Sequence, residues 1–371
     1  MTSGRKRIVV AMSGGVDSST VAAFLASQGH EVIGVTMQLW DYGEGGDGDA
    51  GCCTLDDVRD ARRVAERIGI SHYVVNYMDV FKNYIVEDFI NKYLSGRTPN
   101  PCVLCNQFVK FNFLLKRTLE LDADYLATGH YATIERDETT GRRFLSKAAD
   151  GAKDQSYFLF ALTQAELSRV LFPLGGYSKA EVRALAEGFN LDVSNKPDSQ
   201  EICFVTGGNY REFLKNHADI NNPGGEIVDT EGTVLGRHDG IHTFTVGQRR
   251  GLGLGGGRGG EEGGKPLYVL RIDPGSNRVV VGYKDQMLSS RLVAHNLVWS
   301  SELPVPGSAI GVKAKIRHRH AESDATVTPN DDSTALVEFS EPQRALAPGQ
   351  AVVFYEGRRV LGGGWIGEVL A

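Results

Sequence analysis

The sequence predicts a doubly wound α/β domain over about the first 210 residues, followed by a mostly β second half. Strand-like and helix-like segments alternate up to about residue 130, which is the pattern of a parallel sheet with helices on both faces. Beyond Asn209, short apolar runs bounded by Gly, Pro and Asn take over. A chain of 371 residues suits two or three domains. We place the boundaries near residues 210 and 290, giving domains 1–210, 211–290 and 291–371.

The elements of the α/β half follow from apolar runs and helix-end signals. Thr54, with Asp57 three residues later, is a typical helix N-cap, and Gly29 and Gly69 are positioned to end helices. The predicted elements are the strand Arg7–Met12, the helix Ser18–Ser27, the strand Glu31–Met37, the helix between Thr54 and Gly69, the strand Ile70–Tyr77, the strand Asp124–Thr128 and a helix after Ser178.

The second half contains short β-type runs and one glycine-rich segment. The predicted strands are Glu226–Val228, Tyr268–Ile272, Val279–Val281, Val312–Ile316, Ala335–Phe339 and Ala351–Tyr355. Nine of the fourteen residues from Gly251 to Gly264 are glycine, so this segment lacks the side chains for a core and predicts a mobile loop.

Composition excludes several classes of protein. Apolar residues make up 41% and charged residues 23%, as in globular proteins, and the net charge of −6 argues against indiscriminate coating of nucleic acid. There is neither an apolar run of about 20 residues nor a signal-peptide core, so we expect a cytoplasmic protein. Five cysteines are too few for a disulfide scaffold, which leaves catalytic, metal-binding or core thiols.

The segment Ser13–Ser19 (SGGVDSS) joins the first predicted strand to the first helix. Glycines allow backbone amides to approach a phosphate, and a helix N-terminus adds a partial positive charge. The segment lacks the lysine of a Walker loop and the three glycines of a dinucleotide loop. It predicts an anion site of another kind, with a serine-rich turn that binds no ligand as the alternative.

The cysteines carry the second chemical signal. Cys102 and Cys105 directly precede a predicted amphipathic helix, Phe108–Leu119, and a thiol in a first helical turn is expected to have a lowered pKa, with Lys110 as a further influence. Cys203 lies in a polar segment that folding could bring close, as exchange of a persulfide requires.

Other roles for the cysteines stay open. Cys52 and Cys53 are adjacent, which favours a structural role. Cys102 and Cys105 alone are half of a zinc site, and the second Cys-x-x-Cys is missing. A [4Fe–4S] cluster held by Cys102, Cys105 and Cys203 is the other alternative.

A cationic pattern suggests contact with RNA. In Val312–His320, alternate residues are basic, so an extended strand would present four cations on one face without an acid among them. The cations are Lys313, Lys315, Arg317 and Arg319, and Arg249–Arg250 is a second candidate contact. A strand face that only meets water is the alternative.

Eight motifs in order resemble the tRNA-specific 2-thiouridylase family over essentially the whole chain. They are SGGVDSS (13–19), NPCVLCN (100–106), ATGHYA (127–132), KDQSYFL (153–159), FPLGGYSKAEVR (172–183), PDSQEICF (197–204), FTVGQRRGLG (244–253) and PGQAVVFY (348–355). The resemblance implies a PP-loop ATP pyrophosphatase domain, a small β-rich central domain and a C-terminal β-barrel, the last two binding tRNA.

The resemblance also implies a reaction and its partners. The family thiolates the 2-position of the wobble uridine in tRNAs for lysine, glutamate and glutamine, using ATP and Mg²⁺. Adenylation of the uracil oxygen precedes sulfur transfer from a cysteine persulfide. The partners would be the anticodon stem-loop of tRNA and a cysteine desulfurase or sulfur-relay protein, with the enzyme a cytoplasmic monomer that has no membrane association.

Site residues carried over by motif are expectations from the same resemblance. Cys105 resembles the family's nucleophile and Cys203 its persulfide carrier. Cys102 stands where many members have an aspartate, which puts an acid or base role there in doubt. The expected ATP-binding residues are Ala11, Met12, Ser13, Gly14, Gly15, Val16, Asp17, Ser18, Met37 and Gly129. The expected tRNA contacts are Asn100, Pro101, Cys102, His130, Lys153, Asp154, Gln155, Arg317, His318 and Gln350, where His318 replaces a common aromatic.

Two rival functions share part of this evidence. A PP-loop ligase or amidating synthetase acting on a small molecule would need the phosphate loop but neither reactive thiols nor a cationic strand. A catalytically silent tRNA-binding protein would need only the RNA-binding features.

Overall fold

The computed structural model describes residues 4–40, 54–197, 202–218, 220, 224–254, 265–300, 304–330 and 333–370. The contacts divide the chain into two units. The first contains residues 1–86, 101–209 and 358–361, and the second contains residues 87–100, 210–357 and 362–371. Cys52, Cys53 and positions 255–264 of the glycine-rich segment lie outside the described residues.

The first unit contains a parallel sheet with flanking helices and a separate antiparallel hairpin. The strands of the sheet are β1 (Arg7–Ala11), β2 (Glu31–Gln38), β3 (Ser71–Asn76), β4 (Tyr125–Ala127) and β7 (Val170–Leu171), and the hairpin consists of β5 (Ala132–Arg136) and β6 (Arg143–Lys147). The strands of the sheet pair in parallel in the order β3–β2–β1–β4–β7. Consecutive residues Ile8, Val9 and Val10 are all buried, so both faces of the central strand are covered. The doubly wound prediction is confirmed.

The helices of this unit include α1 (Val16–Ser27), α2 (Leu55–Ile68), α3 (Met78–Phe81), α5 (Pro101–Leu104), α6 (Leu115–Glu120), α7 (Gln164–Leu167) and α8 (Lys179–Gly188). The helices after Thr54 and Ser178 begin where their cap signals predicted, whereas α1 begins two residues before the predicted Ser18. Thr54 and Asp57 form a reciprocal capping box on α2, and Gly69 ends it in the left-handed conformation.

The second unit begins with α4 (Glu87–Leu94), continues with α9 (Tyr210–His217) and then contains two groups of strands. A four-stranded sheet has β8 (Gly225–Val228), β9 (Val234–His238), β10 (Tyr268–Asp273) and β11 (Arg278–Gly282). Six further strands are β12 (Leu288–Trp299), β13 (Ile310–Lys315), β14 (Ser323–Pro329), β15 (Ala335–Arg344), β16 (Ala351–Glu356) and β17 (Arg359–Leu370). These six close into a barrel because β12 pairs with both β15 and β17. The expected β-barrel is therefore present.

The cationic strand is shorter than its alternating sequence suggested. β13 ends at Lys315, and residues 316–320 form bends and turns. Lys313 forms an ion pair with Asp324 at 2.7 Å. The prediction of four aligned cations without an acid is therefore wrong, because two of them follow the end of the strand and a third faces a carboxylate on β14.

Among the described residues, no helix is long and apolar enough to cross a membrane.

Candidate active site

The phosphate loop lies at the carboxyl end of β1, where the strand order of the sheet reverses. Ligands bind at this position in open α/β sheets. Gly15 is the N-cap of α1 and has no side chain to cap it. The hydroxyl of Ser18 accepts a hydrogen bond from the Ser13 amide at 3.1 Å and donates to the Gly15 carbonyl at 3.3 Å. The loop is thus held by its own serine in a conformation that leaves the helix N-terminus without a side-chain cap.

Two glycines allow close packing around the loop. Gly14 has φ of +73°, and a Cβ there would lie 2.2 Å from the Asp57 carbonyl oxygen at the start of α2. At Gly129, which follows β4, a Cβ would lie 2.9 Å from the Ser18 amide nitrogen. The ends of β1 and β4 and the first turn of α2 therefore meet at one edge of the sheet.

Asp17 in the first turn of α1 is bound by two residues that the sequence did not single out. Lys179 donates to both carboxylate oxygens at 2.8 and 2.9 Å, and the Tyr131 hydroxyl donates to one of them at 2.8 Å. Lys179 is the first residue of α8, directly after its cap Ser178. The sequence signal that could have pointed to Lys179 was its place in the FPLGGYSKAEVR motif, directly after a helix cap. The ion pair offsets the negative charge beside a site for phosphate.

The residues flanking the loop on β1 and β2 are also fixed. The Thr36 hydroxyl donates to the Met12 carbonyl at 2.8 Å and lies 2.9 Å from His72 Nε2. Because that hydroxyl donates to Met12, His72 donates to it through Nε2. Burial, followed by the Arg62 charge, lowers the pKa of His72. Met37 is buried next to Thr36 on β2.

Both ring nitrogens of His130 contact side chains of the same unit. Its Nε2 lies 3.3 Å from Lys110 Nζ, and its Nδ1 lies 2.7 Å from the Thr128 hydroxyl. Burial, followed by the Lys110 charge, holds the pKa of His130 well below its usual range. A lysine ammonium can only donate, so the neutral ring accepts at Nε2 and donates from Nδ1 to Thr128. His130 is half-buried, and its predicted contact with tRNA stays a prediction.

Lowering the pH should destabilise the protein at pH values well above those at which carboxylates titrate. Burial lowers the pKa of four histidines below the ordinary value of about 6.5: His72, His130, His238 and His242. The unfolded chain binds protons at these sites more readily, so their contribution is complete above about pH 6.5 and declines as the pH falls below it. We expect the free energy of unfolding in urea to fall between about pH 7.5 and pH 5.5. His130→Gln should flatten this decline, and a pH-independent unfolding midpoint would contradict the assignment.

The helix that carries two of the cysteines begins earlier than predicted. It starts at Pro101, continues through a ten-residue π-helical segment, Cys105–Leu114, and ends in α6. Proline at the first helical position is favoured because its missing N–H would have no helical partner there. The prediction of a helix beginning at Phe108 is therefore wrong. Cys102 is an exposed residue of the first turn, and Cys105 is half-buried one turn later.

Cys203 lies in the same unit and is half-buried. The adjacent Phe204 is buried, with its ring 5.4 Å from that of Phe81 in α3 and 6.2 Å from that of Trp40 after β2. The α3 helix also contacts the π-helical segment that starts at Cys105. The segments bearing Cys105 and Cys203 thus both pack against α3. Of the PDSQEICF motif, Asp198 to Glu201 lie outside the described residues.

No group of three or more His, Cys, Asp or Glu side chains that could hold a metal ion occurs in the described parts of the chain. Cys102, Cys105 and Cys203 are all described, so the structure gives no support to a cluster on these three thiols.

Two of the three residues of the KDQSYFL motif that are expected to contact tRNA form hydrogen bonds within the first unit. Asp154 is buried, and its carboxylate accepts from the amides of Ala148 and Ser156 and from the Ser156 hydroxyl. The Gln155 side-chain oxygen accepts from the Tyr131 amide at 2.9 Å. Lys153 is half-buried at the start of this loop.

Six other residues are expected to contact tRNA. Pro101 and Cys102 lie in the first unit, and the second unit contains Asn100, Arg317, His318 and Gln350. Arg317 donates to the carbonyls of Arg344 and Ala345 at 2.6 and 3.3 Å, and His318 is half-buried beside it. Gln350 donates to the Pro99 carbonyl at 2.8 Å, directly before the buried Asn100. Gln350 therefore fixes the backbone ahead of the NPCVLCN motif.

Three protein-family models match consecutive parts of the chain. A tRNA methyl transferase HUP domain matches residues 6–207, a tRNA methyl transferase PRC-barrel domain matches 211–283, and an aminomethyltransferase beta-barrel domain matches 289–366. A tRNA-specific 2-thiouridylase MnmA from Geotalea uraniireducens (strain Rf4) is 51% identical over 366 residues, covering 98% of this chain and 95% of the relative. The chain belongs to the tRNA-specific 2-thiouridylase family.

A second member of the 2-thiouridylase family, from Geobacter metallireducens (strain ATCC 53774 / DSM 7210 / GS-15), is 52% identical over 367 residues, covering 98% of this chain and 97% of the relative. Among solved structures, a 4-thiouridine synthetase–RNA complex with bound ATP aligns over 57% of this chain and 50% of that chain. Its identity is 17% and its TM-score is 0.34.

Proposed function

We propose that the protein catalyses ATP-dependent 2-thiolation of the wobble uridine in tRNAs for lysine, glutamate and glutamine, forming 2-thiouridine, AMP and pyrophosphate. The observation that carries the proposal is the phosphate loop in the same unit as two cysteine-bearing segments that pack on α3. Membership of the 2-thiouridylase family supports the substrate class.

The residues at the sheet edge fit ATP. The left-handed Gly14, the uncapped helix after Gly15 and the serine hydroxyls provide donors for phosphate oxygens, as in other loops that bind phosphate at a helix N-terminus. The residues that would hold ATP are Ala11 to Ser18, Met37 and Gly129. When bound with the nucleotide, Mg²⁺ would offset the charge of its phosphates.

The chemistry divides into three substitutions. The uracil 2-oxygen attacks the α-phosphorus of ATP, forming a C–O–P bond and releasing pyrophosphate. The terminal sulfur of a Cys203 persulfide then attacks C2, and AMP leaves with the oxygen. Attack of the Cys105 thiolate on the Cys203 sulfur breaks the S–S bond, releases 2-thiouridine and forms a Cys105–Cys203 disulfide, which a cellular thiol reduces.

The partners follow from the same proposal. The tRNA would bind through its anticodon stem-loop, and a cysteine desulfurase or sulfur-relay protein would supply sulfur. The protein would act in the cytoplasm as a monomer, with domains 1–210, 211–290 and 291–371. Cys102, exposed in a first helical turn where a thiolate is stabilised, would assist by disulfide exchange.

The decisive measurement is mass spectrometry of the wobble nucleoside after incubation with ATP, Mg²⁺, a sulfur source and unmodified tRNA. We expect 2-thiouridine at the wobble position, and none in a matched tRNA with cytidine there or in a reaction without ATP.

Two outcomes would favour the rivals. ATP–pyrophosphate exchange that responds to a small carboxylic acid and not to tRNA would favour a small-molecule ligase. Binding of tRNA without ATP turnover under any condition would favour a silent RNA-binding protein.

A further inference from the structure

Lys196 joins the phosphate loop to α2 through three contacts. Its ammonium donates to the Gly14 carbonyl at 3.2 Å, to Asp57 at 2.7 Å and to Asp60 at 2.6 Å. Arg63 also donates to Asp60. The cluster therefore balances two cations with two carboxylates directly beside the loop.

The carboxylates are positioned by the start of α2. Asp57 and Asp60 are three residues apart and so lie on one face of the helix. One oxygen of Asp57 closes the capping box with Thr54, while the other accepts from Lys196. The Asp57 and Asp60 side chains are only 13% and 15% exposed, which separates them from ordinary surface pairs.

The charges of Lys196 and Asp60 persist at neutral pH. Burial lowers the pKa of Lys196, but its bonds to Asp57 and Asp60 more than offset this and leave the pKa raised. Burial raises the pKa of Asp60, and the bonds to Lys196 and Arg63 reverse that effect and leave it lowered.

The contact with Gly14 orients the loop. In a trans peptide the carbonyl and the following N–H point in opposite directions. Fixing the Gly14 carbonyl on Lys196 therefore sets the direction of the Gly15 amide, which opens α1. The approach is tight, because even a Cβ on Gly14 would collide with the Asp57 backbone.

The backbone of Lys196 is fixed as firmly as its side chain. Its amide donates to the Val193 carbonyl at 3.0 Å, and its carbonyl accepts from Arg183 of α8 at 3.1 Å. Cys203 follows seven residues later, so the chain length alone keeps it within about 25 Å of this point.

We propose that Lys196 is a positioning residue that holds the phosphate loop ready for ATP and anchors the chain seven residues before Cys203. The inference deepens the proposed function and takes from it the role of Cys203 as sulfur carrier.

The test uses the full-length protein and two readouts that need no tRNA: the Kd of MgATP by calorimetry, and the rate at which iodoacetamide alkylates Cys203, followed by peptide mass spectrometry. For Lys196→Met we expect the Kd to rise about 10-fold, which corresponds to about 1.4 kcal/mol. We also expect a changed alkylation rate. Lys196→Arg should restore both values, since the cation is kept.

The matched control is Arg59→Met, which breaks an exposed ion pair with Asp56 on the same helix. It should leave both readouts unchanged. Thermal unfolding of each variant identifies any that fail to fold. The double variant K196M/D60N tests for charge repulsion, because it removes one carboxylate along with the lysine and keeps the cluster neutral.

Each result bears on one part of the proposal. Wild-type ATP affinity in K196M, or its recovery in K196M/D60N, overturns loop positioning, the latter because simple charge repulsion would then explain the loss. Weaker ATP binding with unchanged alkylation overturns the link to Cys203. If the wild-type protein fails to thiolate tRNA, the proposed function fails, while both readouts still test Lys196.

Discussion

Replacing Cys203 with serine is expected to abolish thiolation while preserving activation of the tRNA. Serine cannot carry a persulfide, so 2-thiouridine formation should fall by about 10³-fold or more, as for loss of a nucleophile. Cys203 does not belong to the phosphate loop, and its neighbour Phe204 maintains the local packing against Phe81. ATP–pyrophosphate exchange that depends on tRNA should therefore continue at close to its wild-type rate. Nucleoside mass spectrometry and exchange assays on the same preparation measure both.

Cys105→Ser provides the matched comparison. It should also lose thiolation, but after incubation with the sulfur donor it should retain an additional sulfur atom on Cys203 that intact-protein mass spectrometry detects. The Cys203→Ser protein should acquire none there. Thiolation by the Cys203→Ser protein at the wild-type rate would contradict the role of Cys203 as sulfur carrier. A persulfide that forms only on Cys105 would reverse the roles assigned to the two cysteines.

Much of the α/β half could be predicted because its signals are local. A buried parallel strand is apolar throughout, and Thr54 with Asp57 is a complete capping signal within four residues. The phosphate loop was visible for the same reason, since glycine and serine between a strand and a helix already specify the backbone that a phosphate requires.

The contacts that were missed are distant in sequence. Lys196 meets Asp57 across 139 positions, and Lys179 meets Asp17 across 162. No spacing rule links such pairs before the topology is known. The wrong prediction of the cationic strand has a related cause. Arg317 donates to the carbonyls of Arg344 and Ala345, which are distant in sequence, so the alternating pattern gives no sign of this contact.

The helix start was missed for a different reason. Pro101 looked like part of a loop, although proline is well suited to the first helical position, and the π-helical segment that follows disrupts the period of 3.6 on which pattern reading depends.

Gly14→Ala is expected to weaken ATP binding by about 100-fold or more and to lower stability by about 2–5 kcal/mol. Two effects combine here. The left-handed backbone is strained for alanine, and the new methyl group would lie 2.2 Å from the Asp57 carbonyl oxygen. Relief requires the loop to move away from α2, which also removes the Gly14 carbonyl from Lys196. Calorimetry with MgATP and thermal unfolding measure the two losses separately.

Gly69→Ala separates strain from collision. Gly69 has φ of +72°, almost the same as the +73° of Gly14, but no atom of the described residues, apart from its chain neighbours and its own helix backbone, lies within 4 Å of a Cβ built there. It should therefore cost only the left-handed strain of about 1–2 kcal/mol and leave ATP affinity unchanged. Because the two variants share the backbone penalty, the difference between them isolates the packing of the loop on α2. Equal ATP affinity in both would mean that this packing does not shape the nucleotide site.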